Sequence, residues 1–223
     1  MEQILRRLAA VGPFFTVTVP APEQRSGARP LPELYEDGLD AWVAAVGRRL
    51  GTRDTRVAAS TAQFGLAARL WSVGLGVIAL TGQGIDLRAE RVLWRPGPTG
   101  SPELLLPEPR PRPAEELPDL LGPGNLDALH TRMRSRHRLS RTVLEGNAAS
   151  GIAGALRVLH VALPEAADGI APLAARWLDE GRLAGAGELI HEPGLGTAYR
   201  RRSCCLYYRI APGGFCGDCV LRP

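Results

Sequence analysis

The sequence predicts an α+β fold: a helix-dominated single domain with a small antiparallel sheet and a short cysteine-bearing C-terminal segment. Three observations carry this reading. Apolar residues recur at helical spacing in several separate stretches. Two short apolar runs, residues 91–95 and 103–106, flank the loop Pro96-Gly-Pro-Thr-Gly-Ser-Pro102, which is the pattern of a hairpin. All four cysteines of the 223-residue chain fall between positions 204 and 219.

Taken in order, residues 1–11 read as a short helix with Ile4, Leu5 and Leu8 on one side, stopped by Gly12-Pro13. Residues 14–19 read as a strand with Phe15, Val17 and Val19 on one face, and residues 20–32 as a loop. Leu39, Trp42, Val43, Val46 and Leu50 mark a helix that ends at Gly51. Ser60 or Thr61 can cap a helix through Phe64, Ala67, Ala68 and Trp71, and a second apolar piece covers Leu75 to Leu80. The proline-rich residues 107–124 read as a surface linker. Three helices are expected after it, over roughly 125–144, 146–162 and 168–181. The middle one is rich in Ala and Gly, so a neighbouring backbone can approach it closely. The expected division is 1–198 for the helix-rich domain and 199–223 for the C-terminal segment.

Composition narrows the function classes. With 45% hydrophobic and 22% charged residues the chain can bury a core without metal or disulfide staples. Net charge is only +4, aromatics are 5%, and all 27 basic side chains are arginine, so no aromatic-studded basic face for nucleic acid is expected. The longest apolar run is about half of what a bilayer core needs, so no integral membrane segment is expected. Glu2 and Pro13 speak against a signal peptide, and a cytoplasmic location is the expectation. No Gly-x-Gly-x-x-Gly follows a strand. Gly74-Leu-Gly76 is a fragment of that pattern inside an apolar run, so any electron would have to come from outside. Trp71, Trp94 and Trp177 are read as core. His130 and His137 lie near the apolar stripe marked by Met133 and are read as packing residues. The arginines between 132 and 141 are read as a solvated face, from which Arg132 and Arg136, with His137, are kept as candidates for steering a substrate or partner.

Chemistry concentrates in the cysteines, and three readings compete. Disulfides suit a cytoplasmic chain poorly, and a bridge between adjacent Cys204 and Cys205 is strained. Structural zinc suits Cys216-x-x-Cys219, but neighbouring cysteines on an extended chain point apart and wrap a single tetrahedral ion awkwardly. An iron–sulfur cluster also takes four thiolates and presents a wider target, which adjacent ligands reach more easily. Gly213, Gly214 and Gly217 can aim amide N–H groups at sulfur. Arg200, Arg201, Arg202 and Arg209 add positive charge that favours a reduced cluster, and Tyr207, Tyr208 and Phe215 can shield it from water. Arg202 and Arg209 are also candidates for steering.

The stretch Arg200-Arg-Arg-Ser-Cys-Cys-Leu-Tyr-Tyr-Arg209, followed by Pro212-Gly-Gly-Phe-Cys-Gly-Asp-Cys219, resembles the C-terminal motif of the FhuF-like ferric iron (siderophore) reductases. That motif is two adjacent cysteines, ten residues, then Cys-x-x-Cys. Weaker similarity runs through Gly65-Leu-Ala-Ala-Arg-Leu-Trp71 and Gly146-Asn-Ala-Ala-Ser150. The resemblance implies a [2Fe–2S] cluster on Cys204, Cys205, Cys216 and Cys219, with no catalytic residue beyond the cluster. It implies one-electron reduction of a ferric siderophore to release Fe²⁺ in the cytoplasm, with a ferredoxin or flavin reductase as external donor. The alternatives are a non-catalytic [2Fe–2S] redox or iron sensor and an electron-transfer protein.

Overall fold

The computed structural model describes residues 1–98, 100–192, 196–210 and 214–222. Its helices are α1 (Glu2–Ala9), α2 (Leu31–Glu36), α3 (Leu39–Leu50), α4 (Thr55–Thr81), α5 (Leu117–Leu121), α6 (Asp127–His137), α7 (Arg141–Ala162) and α8 (Pro164–Asp179). Its strands are short: β1 (Arg29–Pro30), β2 (Gly84–Ile85), β3 (Leu93–Pro96), β4 (Pro102–Leu105), β5 (Pro111–Arg112), β6 (Gly187–Glu192) and β7 (Gly196–Arg201). They form antiparallel sheets in the orders β1-β3-β4, β2-β5 and β6-β7. The expected hairpin is β3-β4, with Leu93 opposite Leu105 and Pro96 opposite Pro102.

The centre of the fold is α4 packed on α7. Asp54 caps α4 by accepting from the backbone N–H groups of Arg56 and Val57, and Gly82 ends it in the left-handed region. Where the sequence suggested two apolar pieces, one continuous 27-residue helix runs. Its glycines are not breaks but room for neighbours. A side chain at Gly74 would strike Leu117 of α5, and one at Gly76 would strike Leu8 and Phe15. The nucleotide-motif fragment is therefore a packing device. Helix α4 is long and apolar enough to cross a membrane, yet most of it is buried against the rest of the protein. Opposite it, the Ala- and Gly-rich face of α7 does what its composition predicted. A Cβ at Gly151 would lie 2.9 Å from the Cα of Ala68.

Other expectations need correction. Residues 14–19 are not a strand. A 3₁₀ turn covers Pro13–Phe15, and Thr18 makes one isolated parallel bridge to Leu105, although Phe15 and Val17 are buried as the alternation implied. The loop over 20–32 contains β1 on the sheet edge. The proline-rich stretch after residue 107 is not a surface linker, because α5 carries Leu117, Leu120 and Leu121 into the core. The helix expected over 125–144 ends at His137. Arg138 takes a left-handed conformation, φ 54°, and the Ser140 hydroxyl accepts from Val143 N–H to start α7. Trp71, Trp94 and Trp177 are core, with Trp71 and Trp177 in ring contact at 5.9 Å between centroids.

Candidate iron–sulfur site

Strand β7 ends at Arg201, and the chain then runs across the N-terminal halves of α4 and α7. Several polar contacts fix this path. Ser203 Oγ donates to the Thr142 carbonyl at 2.9 Å, and Ser60 Oγ of α4 donates to the Cys205 carbonyl at 2.8 Å. The Asp218 carboxylate, buried between the last two cysteines, accepts from Arg157 of α7 at 3.0 Å. The Asp218 carbonyl accepts from Arg201 N–H at 3.2 Å, which ties the Cys216–Cys219 turn back to β7.

The 146–150 stretch of α7 lies directly beneath. A side chain at Gly146 would run into Ser203 Oγ and the Arg201 guanidinium, so the glycine leaves these two side chains their places. Asn147 is fully buried and donates to the Ser60 carbonyl and hydroxyl, both at 3.1 Å, and to Gln63 Oε1 at 2.8 Å. Gln63 in turn meets His130 Nε2 at 2.9 Å. A buried polar network therefore connects the backbone of Cys205 to the helical core, and His130 is one of its members, as the packing reading expected.

All four cysteines are free thiols. Cys205 and Cys219 are buried, Cys204 and Cys216 half-buried. Cys205 and Cys216 are in hydrogen-bond contact. The Cys216 S–H donates, which together with the Arg201 charge holds the Cys205 pKa down to about 6 against the opposing effect of burial. Cys216, the donor of the pair, is pushed up. Backbone N–H groups point at the outer sulfurs, Leu206 to Cys204 Sγ and Leu221 to Cys219 Sγ, each at 3.3 Å. These donors are leucines rather than Gly214 or Gly217, and Gly213 lies outside the described residues. Leu206 itself adopts φ 70°, a left-handed conformation rare for a leucine and held here at the cysteine pair. Among the described residues no three Cys, His, Asp or Glu side chains converge on one point.

The surroundings fit an anionic thiolate-bound cluster. Of the neighbouring arginines Arg201 alone is deeply buried, at 1% exposure, and its Nε and Nη1 find no acceptor among the described residues. An uncompensated buried guanidinium is costly, and a negative group on the adjacent sulfurs would offset it. Arg202 is exposed. Arg209 lies over the Tyr208 ring and reaches Asp54 at 3.3 Å. Tyr207, Tyr208 and Phe215 remain 38–49% exposed and form a rim rather than a cover.

A cleft of about 600 Å³ opens beside Cys205 and Cys216, a volume suited to a small-molecule ligand. Trp42, Phe64, Tyr207, Arg49 and Arg69 are among the residues lining it. Arg132, Arg136 and His137 do not line it. They sit on α6, where Arg132 pairs with Glu36, Arg136 meets Asp40 at 2.8 Å, and His137 lies 3.3 Å from the same carboxylate. Asn147 and Asp218 stood in the sequence only as parts of quoted stretches and Arg157 not at all, because nothing local marks a residue whose role is to clamp a distant segment.

Residues 201–221 match the family model of the FhuF 2Fe-2S C-terminal domain. No curated protein matches the chain. The chain thus carries the C-terminal motif of an FhuF-like family, and with it a [2Fe–2S] cluster.

Proposed function

We propose, from the [2Fe–2S] motif shared with the FhuF-like family, that this chain is a cytoplasmic ferric-siderophore reductase with Cys204, Cys205, Cys216 and Cys219 as the cluster ligands. The observation that carries the proposal is the cleft beside Cys205 and Cys216, because it gives a chelate-sized molecule access to the ligand sulfurs. The cluster, when bound, supplies one electron per turnover. Fe³⁺ held by oxygen donors takes up that electron, and the Fe²⁺ produced is bound far more weakly by the same hard ligands and leaves.

The protein's own residues set the conditions for this exchange. Arg201 places a buried positive charge behind Cys205, which favours the more negative, reduced state. The N–H groups of Leu206 and Leu221 act in the same direction at the outer sulfurs. Phe64, Trp42 and Tyr207 offer apolar surface to the organic frame of the chelate and keep water from it. The exposed rim of Tyr208, Phe215 and Arg209 suits an acidic donor such as a ferredoxin, or a flavin reductase, which would return the electron.

The test is visible absorption and low-temperature electron paramagnetic resonance on anaerobically purified protein, followed by titration of the dithionite-reduced sample with ferric siderophore. About two irons per chain, a spin-half signal on reduction, and its stoichiometric loss as Fe²⁺ appears in a ferrous trap are expected. A colourless protein with one bound zinc overturns the assignment. A reduced cluster that ferric chelates do not oxidise leaves the sensor or electron-transfer reading instead.

A further inference from the structure

The walls of the cleft are electrically one-sided. Arg49 and Arg69 line it, and none of the described residues lining it is Asp or Glu. Arg69 is half-buried. Its Nη1 donates to the Pro102 carbonyl at 2.5 Å, and its Nε is buried without an acceptor among the described residues. The acid that most influences Arg69 is Glu103, but both oxygens of Glu103 are held by Arg95, at 2.7 and 3.0 Å. Arg69 therefore brings to the wall a positive charge that no acid among the described lining residues answers.

Apolar surroundings amplify that charge. Phe14, Leu66, Val46 and Pro102 lower the local polarity, and a guanidinium beside them is screened less than one on an open surface. The negative charge of a thiolate-bound cluster acts in the opposite sense on an incoming anion. Arg201 lies behind the cysteines to offset it.

Resting on the reductase reading above, we infer that this cleft selects ferric chelates of net negative charge, oxygen-rich complexes bearing carboxylate or catecholate groups, over cationic complexes of the same shape. The apolar wall takes the organic frame, and Arg49 and Arg69 take the charge.

Two complexes separate charge from everything else. A linear trihydroxamate ending in a free amine forms a cationic metal complex, and succinylating that amine makes the complex anionic with unchanged metal coordination. Gallium(III) has the charge of Fe³⁺ but accepts no electron here, so gallium complexes report binding alone, by calorimetry or by quenching of tryptophan fluorescence. The anionic gallium complex is expected to bind the intact holoprotein about tenfold more tightly than the cationic one, with the difference shrinking as salt is raised. Arg69→Gln should bring the ratio close to one and Arg69→Lys should restore part of it, and Arg49→Gln gives the same reading if the Arg69 variants fail to fold. Equal affinities, tighter binding of the cationic complex, or no binding of either overturns the inference. The ferric forms of the same pair keep this failure apart from that of the parent reading. Both reduced at equal rates leaves a reductase without charge selection, and neither reduced by a loaded cluster removes the reductase itself.

Discussion

The helical core and the cysteine segment answer the same requirement, satisfying what they bury, in opposite ways. Between α4 and α7 most contacts close on themselves, although Asn147 Oδ1, Ser150 Oγ and Trp71 Nε1 find no partner among the described residues. Gly151 admits the Ala68 backbone, leucines fill the space left at Gly74 and Gly76, and Gln63, Asn147 and His130 hydrogen-bond to one another and to Ser60. Around Cys204–Cys219 they do not. Arg201 is buried with two nitrogens unpaired among the described residues, and the four cysteines are free thiols. A region packed mainly on itself is scaffold, and a region left with a buried unanswered charge and free thiols is where a cofactor belongs. The two should therefore fail independently.

The largest effect expected is chemical. Cys216→Ser and Cys219→Ser should each lose the cluster's visible absorption and at least about a hundredfold of chelate reduction, while far-UV circular dichroism keeps its helical signature. If the helical signal collapsed with the cluster, the core would not be self-sufficient and the contrast would fail. The reverse case is Gly151→Val, because even a Cβ there meets backbone 2.9 Å away rather than a movable side chain tip. Overpacking at such a site costs about 1–3 kcal/mol, and the upper end lowers the melting temperature of a chain this long by roughly 6–12 °C. Calorimetry of the variant should show that loss, and an unchanged melting temperature would mean the helices part easily.

A smaller effect sharpens the comparison through pH. Burial, reinforced by the Arg182 charge, lowers the His130 pKa to about 4. In the unfolded chain it returns to about 6.5, so between these values the unfolded state binds the proton and the folded state does not. The stability that His130 contributes is therefore complete above about pH 6.5 and lost as pH falls towards 4, an effect of the order of 3 kcal/mol. Urea titrations across that range should show the decline, and His130→Gln should flatten it. A wild-type stability independent of pH in this window would remove His130 from the closed network.

How much of this was visible in the sequence follows the same division. The cysteine motif was legible because its four cysteines lie close along the chain, and α3 with Gly51 and the β3-β4 hairpin were legible because their turn chemistry is local. The continuity of α4 was not, since Gly74 and Gly76 look like weak points until Leu117 and Leu8 are seen to occupy their space. Nor was the burial of α5, whose three leucines are surrounded by prolines. Arg200, Arg201 and Arg202 are indistinguishable in sequence. Only the alternation of β7, and the Gly146 gap on α7, decide that the second of them goes inside. The cleft has no local signature at all, because α3, α4, residues 101–102 and the cysteine segment each contribute a piece of it.

The smallest effect concerns arginines that the sequence could not separate from functional ones. Arg132 and Arg136 lie on α6, with side chains more than 40% exposed, paired to Glu36 and Asp40 on the opposite elements. Exposed pairs of this kind contribute about 0–1 kcal/mol, and each one's charge is already answered by its partner. Arg132→Ala should therefore shift stability by less than about 1 kcal/mol and leave the rate of chelate reduction within twofold of the parent protein. Arg69→Gln, an equally simple loss of one positive charge, should change the preference between anionic and cationic chelates. Measuring both variants against the same pair of complexes decides whether position or net charge governs selection. If Arg132→Ala shifted the preference as far as Arg69→Gln, steering would belong to the whole surface rather than to the cleft.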